Sequence, residues 1–270
     1  MTHPSRLLSI AHLSALDATP LELIAAAAEG GFGAVGLRIV APRPGDVVAP
    51  VAGNPPAIRA LKAELAARSV RVLDVEAVII SPTLDPATLS LAFEAAAELG
   101  AHYVLSNMYV PGRAQGAEAF ARLCREAARF DLEVMLEFLP ISELKTVGDA
   151  LATLRLAGAP NGRLLVDALH LSRSGGHPRD LVGVPADLMP YAHICDAPAA
   201  LPAPEALIPE IRTGRLLPGE GELPLAELIR TLPDGIPLAV EAPCRETAGL
   251  PVNERVARAG AAARKLLASL

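Results

Sequence analysis

Short apolar runs recur along the chain, and each is followed by a break and then by a stretch of helical spacing. The runs are Leu7–His12, Ala34–Val40, Val70–Ile80, His102–Met108, Glu133–Phe138, Arg163–His170, Tyr191–Asp196 and Pro237–Glu241. Continuous apolar runs of this kind, rather than alternating ones, read as strands buried on both faces. Helical signals lie between them. Thr19-Pro20-Leu21-Glu22 offers an N-cap, a proline at the first helical position and an acid in the first turn, and Gly30-Gly31 stops the helix. Further helices are expected over Ala57–Arg68, from Asp85-Pro86 to Gly100, and over Ala117–Phe130, Leu144–Ala157, Arg179–Val182, Pro224–Thr231 and Val252–Leu267. Ala41–Pro56 and the Pro-rich Ala197–Pro218 read as long loops.

Strands alternating with helices imply parallel strands joined by crossovers. Eight such units in a chain of 270 residues match the (β/α)8 TIM barrel. The chain is expected to be a single α/β domain spanning residues 1–270. A doubly wound sheet would carry a GxGxxG turn after the first strand, and none is present.

In such a barrel the C-terminal ends of the strands converge on one mouth, where active sites form. The polar residues at those ends are His12, Arg38, Glu76, Asn107, Glu137, Asp167 with His170, His193 with Asp196, and Glu241. The later ones interrupt apolar words: Met-Leu-Glu-Phe, Leu-Val-Asp-Ala, Tyr-Ala-His-Ile and Ala-Val-Glu-Ala. A carboxylate at the end of a buried strand is costly without a partner. Three carboxylates and one imidazole form a hard, oxygen-rich set that suits Mg²⁺, Mn²⁺ or a similar divalent ion. The plainer reading of the quartet Glu137, Asp167, His193 and Glu241 is a structural ion-pair network. His170 is either a site residue or a satisfied core histidine, and His12 and Asn107 are open between pocket lining and barrel packing. Arg38 and Glu76 are spaced to pair across adjacent strands, and Asp196 to cap the loop after it.

These residues carry a resemblance. The chain resembles the sugar phosphate isomerase/epimerase superfamily of xylose-isomerase-like barrels. It does so in Glu137, in the Asp-x-x-His word of Asp167 and His170, in His193, in Glu241, and in the Pro-Gly-Glu-Gly turn of Pro218 to Gly221. The resemblance implies that Glu137, Asp167, His193 and Glu241 hold a divalent metal ion (Mn²⁺, Mg²⁺ or Co²⁺). It implies that Glu137 and Glu241 are also the catalytic acid and base, working on opposite faces of a small polyhydroxy substrate through an enediolate. His170 and Glu143 would contact that substrate, with His12 and Asn107 beside them. The superfamily's epimerases carry an arginine six residues after the metal histidine. Here that position is Ala199, and Arg215 is the expected replacement. The implied activity is a metal-dependent isomerase or epimerase. The alternative is a dehydratase of the inosose or 3-dehydroshikimate type, which shares the first proton abstraction. The superfamily often forms dimers or tetramers, so a homodimer or homotetramer is the expected assembly.

Composition narrows the partners. A formal net charge of −6 with no basic run argues against nucleic acid. It argues equally against an endonuclease IV-like phosphodiesterase, which would need more than the six histidines present. No window approaches ~18 uninterrupted apolar residues, the length of a membrane span. The N-terminus lacks the pattern of a signal peptide. Three cysteines without CxxC spacing, Cys124, Cys195 and Cys244, suit a reducing, cytoplasmic setting, and Cys195 and Cys244 read as small apolar residues. A metal-free binding module is the remaining non-enzymatic reading.

Overall fold

A computed structural model describes residues 6–42, 46 and 48–270. Eight parallel strands close into a barrel in sequence order: β1 (Leu8–Ile10), β2 (Ala34–Leu37), β3 (Arg71–Ile80), β4 (Tyr103–Met108), β5 (Glu133–Glu137), β6 (Gly162–Asp167), β7 (Ala192–Ile194) and β8 (Leu238–Val240). Closure is made by β1 pairing with both β2 and β8. The helices surround it: α1 (Pro20–Glu29), α2 (Pro55–Arg68), α3 (Ser90–Glu98), α4 (Arg113–Ala128), α5 (Val147–Ala157), α6 (Ala168–Arg173), α7 (Pro204–Thr213), α8 (Leu225–Thr231) and α9 (Val252–Ala268). The (β/α)8 architecture is thus the one the sequence pattern implies, and the doubly wound sheet is excluded. Residues 1–5 of the expected 1–270 domain, and residues 43–45 and 47 of the expected Ala41–Pro56 loop, lie outside the described residues.

Strand alternation sorts the side chains into two layers. Ala34, Leu73, Ala77, Leu105, Met135, Leu165, Tyr191 and Ala239 fill the barrel interior, while Val134, Leu136, Leu164, Val166, Ala192, Ile194, Leu238 and Val240 face the helices. Two positions beyond Met135, Leu165, Tyr191 and Ala239 come Glu137, Asp167, His193 and Glu241. Their parity therefore turns them inward at the mouth. β3 departs from strict alternation. Its register against β2 runs Val35 to Val72 and then Gly36 to Asp74, skipping Leu73. This bulge re-aims the strand at Asp74, and a second register shift, against β4 between Val75 and Val78, follows it, so that Asp74 and Glu76 both lie against Gly36 while Leu73 and Ala77 still pack in the interior. A Cβ on Gly36 would lie 2.6 Å from Asp74 Oδ1 and 2.9 Å from Glu76 Oε1, so no larger residue fits there without a shift.

Two expectations need correction. The run Arg163–His170 is not one strand. β6 ends at Asp167, whose carboxylate accepts the His170 N–H at 2.8 Å and caps α6. Asp167 is therefore an N-cap as well as a strand end, and the cap lets the chain turn from strand to helix without an intervening loop. The Ala197–Pro218 stretch is not all loop either. It contains α7, started by Pro204 and held by a two-point ion pair from Arg173 Nε and Nη2 to Glu210, both at 2.7 Å. The elements that follow Thr19 and Thr146 begin with capping boxes, as the Thr-Pro-Leu-Glu word suggests for the first.

Candidate metal centre

Glu137, Asp167, His193 and Glu241 meet at the C-terminal ends of β5 to β8. Each offers one ligand atom, and these atoms lie within 4.8 Å of one another. All four residues are buried. His193 Nδ1 stands 3.6 Å from Glu241 Oε2, 3.9 Å from Glu137 Oε1 and 4.0 Å from Asp167 Oδ2. Those spacings are too long for hydrogen bonds. Accordingly Glu137 Oε1 and both ring nitrogens of His193 are buried without a hydrogen-bond partner. Unsatisfied buried polar atoms are rare in folded proteins and call for an explanation.

Arg215 enters the cluster from the segment after α7. It is 1% exposed. Its Nη1 donates to Asp167 Oδ2 at 2.7 Å and its Nη2 pairs with Glu241 Oε2 at 2.8 Å. Further bonds run from Nη1 to the Glu241 carbonyl at 3.0 Å and from Nε to the Ile211 carbonyl at 3.1 Å. The guanidinium cancels one of three formal negative charges. Two remain, equal in size and opposite in sign to the charge of a divalent cation. The donor set and the orphaned atoms thus fit such an ion, with Glu137, Asp167, His193 and Glu241 holding it.

The electrostatics reflect the same surplus. Burial, then the charges of Glu241 and Asp167, push Glu137 up to about 8. Burial opposes the charged form of His193, but the carboxylates of Glu241, Glu137 and Asp167 outweigh it and raise the imidazole to about 10. Glu241 and Asp167 behave oppositely: burial would raise both, and Arg215 pulls them below the usual carboxylate range. The two glutamates at the mouth are therefore unlike. Glu241 is held by a cation, whereas Glu137 receives a single neutral donor, Asn107 Nδ2 at 2.7 Å.

The other residues expected from the sequence are dispersed. His170 is buried beside Arg215, with Nε2 at 3.5 Å from Nη2 and Nδ1 without a partner; burial lowers it to about 4, so the ring is neutral. Both ring nitrogens of His12 are engaged within the barrel. Nδ1 accepts the Arg38 N–H at 3.0 Å and Nε2 bonds the Ala18 carbonyl at 2.9 Å, which leaves neither for a ligand. The ring ties β1 to β2. Glu143 is exposed and lines a cleft with Arg113 and Asp149 to which none of the four clustered residues contributes. Arg38 pairs with Glu76 at 3.3 Å, as their positions suggest. Asp196 binds the backbone N–H groups of Ala197, Gly219 and Leu223 and so shapes the Pro218–Gly221 turn. Two interior residues were not singled out: Tyr191 and Asp74, joined by a hydrogen bond of 2.9 Å. The signal available for Tyr191 was its place two residues before His193, on the same face of β7.

A parallel eight-stranded barrel carries at its mouth a buried carboxylate–imidazole cluster that could hold a metal ion. The chain belongs to the xylose isomerase-like TIM barrel family, whose sequence model matches residues 24–268. Among solved structures it resembles the IolI protein with a bound zinc atom, at 16% identity, with 98% of this chain and 99% of that one covered and a TM-score of 0.80. It also resembles the probable 3-DHS dehydratase AsbF of Bacillus anthracis (15% identity, 98% and 99% covered, TM-score 0.72). A third is D-allulose 3-epimerase from Methylomonas sp. in complex with D-allulose (18% identity, 100% and 99% covered, TM-score 0.68). No curated protein sequence matches the chain. Among the described residues no helix is long and apolar enough to cross a membrane.

Proposed function

We propose that the protein is a divalent-metal-dependent isomerase or epimerase of a small polyhydroxy carbonyl compound, working by proton abstraction next to the carbonyl. The observation that carries this reading is the cluster itself: three carboxylates and an imidazole, with Glu137 Oε1 and both His193 nitrogens unpaired in the barrel interior. Glu137, Asp167, His193 and Glu241 would hold the ion. When bound, it would supply a Lewis acid for the substrate's carbonyl and neighbouring hydroxyl oxygens.

The chain's own residues divide the remaining work. Glu137 is the better base of the two glutamates, because Asn107 orients it without neutralising it. Glu241, beside Arg215, is the weaker base and the better placed to stay ionised. Two carboxyl groups whose surroundings push them apart are the usual signature of an acid–base pair. His170, neutral and with Nδ1 unpaired, can donate or accept a hydrogen bond to a substrate oxygen. Arg215 fixes Asp167 and Glu241 in place.

A lyase that dehydrates a cyclic polyol ketone shares the first proton abstraction. Proton NMR in D₂O with a panel of ketoses, inososes and 3-dehydroshikimate separates the two. Exchange of the α-proton with inversion and no loss of water supports the proposal. Appearance of an ultraviolet-absorbing enone or enediol assigns the lyase, and failure to bind any divalent ion overturns both.

A further inference from the structure

Metal-ligating histidines usually owe their ring orientation to a hydrogen bond from the second ring nitrogen to a carboxylate or carbonyl. His193 has no such bond, because both nitrogens lack a partner. Its side-chain torsion at the ring is of the broad, two-fold kind, so packing must set it. What packs against it is Tyr191. The two rings are 5.7 Å apart between centroids and inclined by 50°, and Tyr103 lies on Tyr191 at 5.1 Å. The Tyr191 ring is locked at its far end, where its hydroxyl donates to Asp74 Oδ2 at 2.9 Å.

Asp74 is an expensive anchor. It is 1% exposed, its Oδ1 has no partner, and Glu76 stands as a second acid nearby on the same strand. An apolar residue would suit the barrel interior better on stability grounds. The β3 bulge and the missing side chain at Gly36 make room for it.

We infer that Tyr191, locked by Asp74, is a positioning residue for His193. The ring wall of Tyr103 and Tyr191 does for this imidazole what a hydrogen-bonded carboxylate does elsewhere, and Asp74 acts on the centre through Tyr191. The inference rests on the metal centre proposed above. It goes beyond that reading by placing part of the support deeper in the barrel, on β3 and at the residue before β7.

The test is Co²⁺ loading, read by chelator competition and by the d–d absorption bands, with circular dichroism to confirm folding. Tyr191→Leu should weaken Co²⁺ binding by about tenfold or more and shift the bands, since the imidazole is then free to turn. Asp74→Leu and Tyr191→Phe cut the same hydrogen bond and should weaken binding by matching, smaller factors. Asp74→Asn, whose amide oxygen still accepts from the hydroxyl, should stay within about twofold of the parent. A purely structural role would lower stability and leave the bands and the affinity of the folded fraction alone. That result in Tyr191→Leu would overturn the inference, and if Tyr191→Leu fails to fold, the same result in Tyr191→Phe does so. A parent protein that binds no Co²⁺ would overturn the metal centre itself, and this inference with it.

Discussion

The two halves of the barrel mouth treat their polar residues differently. Beside the ends of β1 and β2, Glu76, which lies in the middle of β3 and not at its end as the sequence suggests, accepts the His12 N–H at 2.6 Å and pairs with Arg38, while His12 joins the backbone of Ala18 and Arg38. That half largely satisfies itself, with Arg38 Nε at the mouth and Asp74 Oδ1 below it left over. At the ends of β5 to β8 the same residue types converge but do not satisfy one another: Glu137 Oε1 and His193 keep unpaired atoms, and Arg215 neutralises only part of the charge. A strand-end carboxylate alone therefore does not mark a site. What marks it is a surplus of charge and lone pairs that the protein leaves for something else.

That contrast can be broken by experiment. The largest effect is expected at the unsatisfied half. Glu137→Gln and Glu241→Gln should each lower turnover by ~10²–10⁴-fold, the usual contribution of a general acid or base. Steady-state kinetics on the substrate found in the D₂O panel would measure it, and a variant with parental rates would remove that glutamate from the acid–base pair. Asp167→Ala should weaken metal binding sharply in a chelator titration, with activity lost as a consequence. It also strips the cap of α6 and one partner of the buried Arg215, so urea denaturation should show a loss of about 3 kcal/mol.

Removing the metal should make stability depend on pH in a definite direction. Glu137 is raised from 4.5 to about 8, so its contribution is present below pH 4.5 and is lost as pH rises toward 8. His193 is raised from 6.5 to about 10, so its contribution is present below pH 6.5 and is lost on the way to pH 10. The metal-free protein should therefore lose thermal stability between pH 4.5 and 10, most steeply from 6.5 to about 8 where both groups contribute, and a divalent ion should restore it most at the alkaline end. A melting temperature that is flat across this range without metal would contradict the charge surplus. The smallest effect on the centre is expected from the satisfied half. Arg38→Met leaves Glu76 buried beside a lost partner and should cost about 3 kcal/mol in denaturation. Metal affinity in the same variant should stay within about twofold, as expected for a site with no shared partners. A large drop in affinity there would mean that the two halves act as one.

The barrel was legible because its apolar runs are uninterrupted and evenly interspersed with capped helices. The four clustered residues were legible because each breaks such a run near its C-terminal end. The rest depended on contacts between residues far apart in the chain. Nothing in the words around His12 shows that Ala18 and Arg38 occupy its ring, and nothing around Arg215 shows that it reaches both Asp167 and Glu241. The end of β6 was misread because apolar content does not distinguish a strand from a buried helical turn. The cap that decides the matter is a hydrogen bond from Asp167 to the backbone of His170. α7 was hidden by its prolines, which start a helix as readily as they interrupt one.

By itself, the sequence determined the parallel barrel and the inward parity of Glu137, Asp167, His193 and Glu241, because strand periodicity and run length are local properties. Only the tertiary structure decided which polar groups are satisfied. Pairing is a matter of distances across the barrel, and at this mouth those distances separate a largely self-contained half from one that leaves charge and lone pairs unpaired.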